Sequence, residues 1–261
     1  MKHFFIDKYS EVKSPIRNLD ARAKIITFFS LILLCVTTPP KALLAFGGYY
    51  LILAIMLVIS KVPLSFILKR VVIAIPFILM VAAFIPFIGA DVGGSYNLWG
   101  ITLYQRGLLI LFNVTVKALF GVAALTLLVS TTPFDELMEG LKKLGVPKVF
   151  ITIASFMYRY IFVVVDETMR MKRARDSRNF EGRWIWQASA VGHMVATLFL
   201  RSYERGERVY SAMLSRGYDG EVKSLSEHPI TRKDIIFTLF IISTAVLLNL
   251  SYALIKLFIG G

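Results

Sequence analysis

The feature that most constrains this chain is a series of apolar runs, each roughly 17 to 25 residues long, set between charged stretches. Runs of that length cross a bilayer as helices, because a helix satisfies its own backbone polar groups where there is no water to do so. About five are legible. They cover approximately Ala21 to Thr38, Ala42 to Ser60, Phe66 to Gly89, Tyr104 to Val129 and Ile235 to Ile259. The first is short, and Arg22 and Lys24 at its start are expected to snorkel towards the interface. Pro39-Pro40 breaks the helix after it. Pro76 and Pro86 in the third run predict kinks rather than an end, since neighbouring helices can satisfy the freed carbonyls. Ala90 to Gln105 is turn-rich and aromatic, so a short hairpin or re-entrant turn at the membrane surface is expected there. The fold class that follows is an all-α integral membrane protein.

Composition sharpens this reading. The chain of 261 residues is 56% hydrophobic, yet its 30 Lys+Arg against 17 Asp+Glu give a formal net charge of +13. Both hold because apolar runs and basic clusters occupy different stretches. Lys and Arg resist translocation, so the clusters mark the cytoplasmic side. They fall in the N-terminal stretch, in the Lys61–Arg70 connection and between Thr131 and Asp234; the other side has little beyond Lys41, Arg106 and Lys256. With five spans, the N-terminus is expected inside and the C-terminus outside. The expected organisation is a membrane domain over 1–130, a cytoplasmic segment over 131–234 and a last span over 235–261. Nucleic-acid binding is disfavoured, since the basic residues flank spans and no RNA- or DNA-binding motif occurs. The N-terminus is long and charged before its first apolar run, unlike a signal peptide, so the first span is expected to stay in the mature protein.

The segment 131–234 is too charged to cross the membrane as a whole. Pro133 to Gly145 reads as one short amphipathic helix. Pro133 suits its first turn, Asp135 and Glu136 its N-terminal end, and Lys142 and Lys143 its C-terminal end. Pro147 starts the next helix. Val149–Val165 and Ala188–Leu200 are apolar but short and flanked or interrupted by charge (Arg159, His193, Arg201). The preferred expectation is amphipathic helices on the membrane surface or packed on other helices; a sixth span over Val149–Val165 is the alternative.

Two pieces of this segment match. Ala174-Arg175-Asp176-Ser177-Arg178-Asn179-Phe180 and Ala212-Met213-Leu214-Ser215-Arg216-Gly217-Tyr218 both read Ala-x-x-Ser-Arg, then a residue that tolerates left-handed backbone, then an aromatic. Asn179 and Gly217 suit the position just past a helix C-terminus. Arg178 and Arg216 then lie at the last turn, where a cation complements the helix dipole. Ala174, Ser177, Ala212 and Ser215 keep one face small, so a groove can close on it, and each guanidinium can fork onto a partner carboxylate. One such end is explained by helix stability alone. Two in one segment suit a partner with two similar sockets.

The stretch Arg201 to Glu221, with Ala212-Met213-Leu214-Ser215-Arg216-Gly217-Tyr218 at its heart, resembles the second coupling region of the T component of energy-coupling factor (ECF) transporters, most closely the cobalt/nickel type, CbiQ. The opening Ile6-Asp7-Lys8-Tyr9, followed by Ser14-Pro15-Ile16-Arg17-Asn18-Leu19-Asp20-Ala21-Arg22-Ala23-Lys24, is similar to the start of that family. The first coupling motif of the family usually ends Ala-Arg-Gly, where this chain has Ser177-Arg178-Asn179. The resemblance covers essentially the whole chain. It implies a non-catalytic scaffold whose coupling helices seat in two ABC-type ATPase subunits through Arg178 and Arg216. It also implies a separate CbiM-like membrane subunit that binds Co²⁺ or Ni²⁺, and room for a small accessory membrane subunit.

Other chemistry is sparse. No Gly-rich loop ending in Gly-Lys-Ser/Thr occurs, so ATP hydrolysis is not expected of this chain. No HExxH occurs, and His3, His193 and His228 are scattered, so neither a metalloprotease site nor a resident cofactor or metal is expected. Cys35 is a lone cysteine within the first run. Lys117 lies mid-way along the fourth run with Asn113 one turn earlier. An intramembrane charge is either a functional group, in contact with the substrate subunit or a pathway, or a lysine paired inside the bundle. Asn249 reads as a helix–helix hydrogen bond. Two further readings are carried: a T component of a vitamin-type ECF transporter, and a self-sufficient secondary transporter using Lys117.

Overall fold

The computed structural model describes residues 14–40, 42–82, 95–98, 101–178, 184–220 and 230–259. The described residues form eight helices: α1 (Ala21–Thr37), α2 (Leu43–Ser60), α3 (Leu64–Ala82), α4 (Gln105–Thr131), α5 (Phe134–Lys143), α6 (Lys148–Asp176), α7 (Trp184–Leu214) and α8 (Arg232–Ile259). The exception to helix is a hairpin, β1 (Ser95–Leu98) antiparallel to β2 (Ile101–Tyr104), with Leu98 opposite Ile101. It falls inside the turn-rich stretch expected to hold a hairpin. Pro86, Gly89 and the rest of 83–94 lie outside the described residues.

The chain separates into two compact units, Leu141–Glu227 and, for the remainder, Lys2–Gly140 with His228–Gly261. The second unit is a helix bundle. α1 packs on α8, α4 and α2, while α4 also packs on α3 and α2. Its core is continuous: Phe28, Leu31 and Cys35 of α1, Tyr49 and Leu53 of α2, Phe120 and Leu127 of α4, and Ile241 and Ala245 of α8. Phe120 is the pivot, with Tyr49 and Tyr50 both edge-on to it at 5.9 and 5.6 Å. Each tyrosine then spends its hydroxyl on a neighbouring backbone: Tyr49 donates to the Ala245 carbonyl (3.1 Å) and Tyr50 to that of Val116 (2.9 Å). Buried hydroxyls need such partners, and aromatic rings with a polar tip fill that requirement. α2 approaches α8 closely enough that a Cβ added at Gly48 would lie 2.7 Å from Leu248 Cδ1. Small residues allow this kind of close approach between spans.

Polar groups tie the ends of these helices together. Asp20 caps α1 by accepting from the Arg22 N–H (2.8 Å). Asp234 accepts from the Thr231 N–H (2.7 Å), the local half of a capping box, and also from the Asp20 N–H (3.2 Å). Lys24 does not snorkel. It is fully buried and donates to the carbonyls of Arg17 (3.0 Å) and Thr131 (3.3 Å), joining the stretch before α1 and the start of α1 to the end of α4. Asn249 makes the expected interhelical link: it accepts from Thr38 Oγ1 (2.8 Å) and donates to the Leu34 carbonyl (3.3 Å).

α5 follows its sequence signals closely. Its first turn carries Asp135 and Glu136, and its last carries Lys142 and Lys143. It stops where Gly145 enters the left-handed region at φ +95°; the Val146 and Gly145 N–H groups donate back to Leu141 and Lys142, closing a Schellman motif. Gly140 rests against Ala21 of α1, where an added Cβ would lie 3.0 Å from that residue's own. Pro147 caps α6, as its position predicts.

Span counting by length and composition differs from the sequence expectation in three places: among the described residues α1 and α3 do not qualify, and α6 does. Four described stretches qualify: Leu43–Ser60, Leu109–Thr131, Lys148–Asp176 and Arg232–Ser251. α6 is among them. The apolar Val149–Val165 does not stand as a short surface helix but continues without a break into the charged run to Asp176. Its 29 residues extend about 43 Å. α7 likewise joins Ala188–Leu200 to the charged run beyond it in one helix of 31 residues. Sequence reading separated these pieces because hydropathy changes along them, while helix periodicity does not.

Candidate functional site

α6 and α7 form the unit Leu141–Glu227, and both change from apolar to charged along their length. Glu167 of α6 accepts from Arg201 of α7 and also faces Arg170 at 3.4 Å. Arg175 pairs with Asp176 (2.8 Å), and Arg208 faces Glu204 (3.7 Å). These pairs are mostly exposed, so each contributes under about 1 kcal/mol. Burial contributes little more: Ile151 alone is buried among the described side chains of the two helices.

The two matched ends have the same local geometry. In the first, the Ser177 N–H and Oγ both donate to the Arg173 carbonyl (2.9 Å each), and the Arg178 N–H donates to that of Arg175 (3.1 Å). In the second, the Ser215 N–H and Oγ both donate to the Ser211 carbonyl (3.0 Å each), and the Arg216 N–H donates to that of Met213 (3.0 Å). The serine side chain thus takes the carbonyl four residues back in both cases, a local bond that Ser readily makes at a helix end. The second end then closes fully. Gly217 has φ +77° and its N–H donates to Leu214, while the Tyr218 N–H reaches back to Met213. Asn179 and Phe180, the counterparts in the first end, lie outside the described residues.

Ala174, Ser177, Arg178, Ala212, Ser215, Arg216 and Gly217 are all exposed. Not every arginine of the two helices is paired. Arg170, Arg175, Arg201 and Arg208 are each engaged by a carboxylate of the chain, whereas Arg173 and Arg205, like Arg178 and Arg216, are in no ion pair among the described residues. Two guanidiniums of equivalent position thus stand at helix ends with no carboxylate among the described residues engaging them.

Lys117 and Asn113 are not joined to each other by a hydrogen bond among the described residues. Lys117 Nζ donates to the carbonyls of Val36 and Thr38 (2.7 Å each) and stands 5.9 Å from the Phe46 ring centroid. Those carbonyls are at the C-terminal end of α1, where helical partners run out and Pro39 follows. The ammonium thus caps α1 from α4. Asn113 is buried with no partner for its Oδ1. Among the described residues no group of three His, Cys, Asp or Glu is placed to hold a metal ion.

Sequence reasoning missed the Glu167–Arg201 tie and the second bond of Asp234. Nothing short of the fold could have paired residues 34 apart in the first case. The Thr231-x-x-Asp234 spacing was a readable signal for the local bond from Thr231, and nothing local announced the second, from Asp20.

Comparison with known proteins decides the family. The profile described as CbiQ, cobalt transport protein, matches residues 12–228. The chain belongs to the CbiQ family. An uncharacterized protein of Methanocaldococcus jannaschii is 33% identical over 94% of this chain and 86% of its own length. A fused cobalt transport protein, CbiMQ, of Methanocorpusculum labreanum is 30% identical over 80% of this chain and 36% of its own length. The energy-coupling factor transporter transmembrane protein EcfT of Bacillus selenitireducens is 27% identical over 92% and 94%. With its span-length helices, the CbiQ-family chain is a multi-pass cell-membrane protein and a T component of the cobalt-type ECF transporters.

Proposed function

We propose that this chain is the coupling subunit of an ATP-driven importer for a transition metal ion, cobalt or nickel, and that Arg178 and Arg216 are its grips on two ABC-type ATPase subunits. The observation that carries this reading is the pair of equivalent helix ends whose arginines no carboxylate among the described residues engages. Such a guanidinium offers forked donors to a partner carboxylate. Ala174 with Ser177, and Ala212 with Ser215, leave a face low enough for a groove to close on.

In this reading the chain hydrolyses nothing. Closure of the ATPase pair moves the ends of α6 and α7, and the membrane helices of 1–130 and 235–261 pass the motion to a separate substrate-binding subunit. The relative named CbiMQ carries this chain's match as only part of its length, which supports a CbiM-like neighbour. In this reading that neighbour binds the metal, and a small accessory membrane subunit completes the assembly. The charged ends of α6 and α7 then face the cytoplasm with the N-terminus, in keeping with the distribution of basic residues. The commitment of Lys117 to the α1 carbonyls favours this reading over a self-sufficient transporter.

The test is charge reversal in the assembled transporter. Arg178→Glu and Arg216→Glu are each expected to weaken ATPase co-purification at least about tenfold. The double variant is expected to abolish uptake of labelled cobalt and nickel while membrane insertion stays normal. Normal assembly and uptake in the double variant would overturn the proposal, and uptake by the chain alone in ATPase-free vesicles would favour the self-sufficient transporter. Uptake of a vitamin but of neither metal would move the chain to the vitamin-type group.

A further inference from the structure

A cleft of about 410 Å³ lies between α6 and α7. Its two walls differ in chemistry. On α6 it is lined by Phe156, Met157, Tyr160, Val163 and Val164, which recur at helical spacing on one face. On α7 it is lined by Arg201, Arg205 and Arg208, again one face at spacings of four and three. Glu204 lies between them and Glu167 of α6 is also in the lining, so the arginines outnumber the carboxylates by one. Arg201 is engaged by Glu167, and Arg208 lies 3.7 Å from Glu204. Arg205 is in no ion pair among the described residues.

An apolar wall facing an arginine wall is costly for either wall alone. A soluble anion would leave the α6 face against water, and a purely apolar ligand would desolvate the Arg205 guanidinium without compensation. One class of ligand satisfies both: an amphiphile with an anionic head and a hydrocarbon chain. The α6 wall belongs to the part of that helix with the length and composition of a membrane span, so this class is at hand in the bilayer. Arginine also matches phosphate with paired donors.

We infer that the α6–α7 cleft binds an anionic phospholipid, its phosphate on Arg205 and Arg208 and one acyl chain along Phe156 to Val164. The site is separate from the arginine ends and does not depend on how they are used. A lipid held there would fill the gap between two helices otherwise joined by the Glu167–Arg201 tie, and would stiffen the pair.

The experiment uses the full chain in vesicles, with Trp99, Trp184 and Trp186 changed to Phe and Phe156→Trp as the single reporter. Brominated phosphatidylglycerol is expected to quench the fluorescence of that reporter at lower mole fraction than brominated phosphatidylcholine. Arg205→Gln and Arg208→Gln should each reduce that preference about fivefold. Arg205→Lys with Arg208→Lys, which keeps the charge, should retain most of it, and Arg178→Gln should leave it unchanged. Monodisperse elution of each variant checks folding. Equal quenching by the two lipids in the reporter protein overturns the inference. So does displacement of the preference by millimolar inorganic phosphate, which would mark a soluble-anion site, or insensitivity to the glutamine variants.

Discussion

In the bundle, Tyr49, Phe120, Leu127 and Ala245 are each 0% exposed, whereas α7 has no buried residue among its described side chains and α6 has Ile151 alone. Both regions expose large apolar residues, Phe29, Leu44, Val58 and Phe77 in the bundle among them, but the bundle also has a buried set that faces inward and the α6–α7 pair does not. Phe150, Met157, Phe199 and Leu200 are all well exposed. The polar groups divide the same way. Bundle charges such as Lys24 and Asp234 are buried and hydrogen-bonded to the backbone of other elements, while those of α6 and α7 lie at the surface. The contrast teaches that the bundle has a core of its own, whereas the α6–α7 pair is held by few buried contacts of its own.

Substitutions can break or sharpen that contrast. Asp234→Ala should have the largest effect on stability. It strands the N–H groups of Asp20 and Thr231, and a loss of about 2–3 kcal/mol is expected in denaturant unfolding of the detergent-solubilised protein. Lys117→Met should cost somewhat less, about 1–2 kcal/mol, by leaving the Val36 and Thr38 carbonyls without their donor. It also separates the two roles of that lysine: a capping residue lowers stability and leaves substrate uptake largely intact, whereas a transport residue stops uptake at unchanged stability. Gly48→Ala should cost about 1 kcal/mol, because Leu248 must move to admit the new Cβ. Glu167→Gln should be the mildest, under about 1 kcal/mol, since its partners are largely exposed. It should nevertheless raise amide hydrogen exchange in α6 and α7 and leave the bundle unchanged. If Glu167→Gln destabilises the protein as much as Asp234→Ala, the contrast between the two regions is wrong.

How much of this could be read from the residues follows the same division. Apolar runs located α2, α4 and α8, and turn chemistry located α5 to within a residue or two, because Pro133, the flanking charges and Gly145 all point the same way. The matched ends were legible because serine, arginine and glycine act locally there. What escaped depended on contacts between residues far apart in sequence. Lys24 looked like an interfacial lysine, since nothing nearby announces that the Thr131 carbonyl will meet it. The continuity of α6 was hidden by its change of hydropathy, which alters what surrounds a helix but not whether it forms.

The left-handed residue at the tip of α7 has a mechanical consequence. Gly217 ends the helix within a residue of Arg216, and an added Cβ there would meet no atom within 4 Å, so backbone conformation rather than crowding demands glycine. A residue with a side chain would strain the stop by about 1 kcal/mol and favour winding on towards Tyr218. Each further residue would advance the tip by about 1.5 Å and turn it through roughly 100°. Gly217 thereby sets both the reach and the heading of Arg216, and a mutant that only overshoots would be recognisable by regaining function when one upstream residue is deleted.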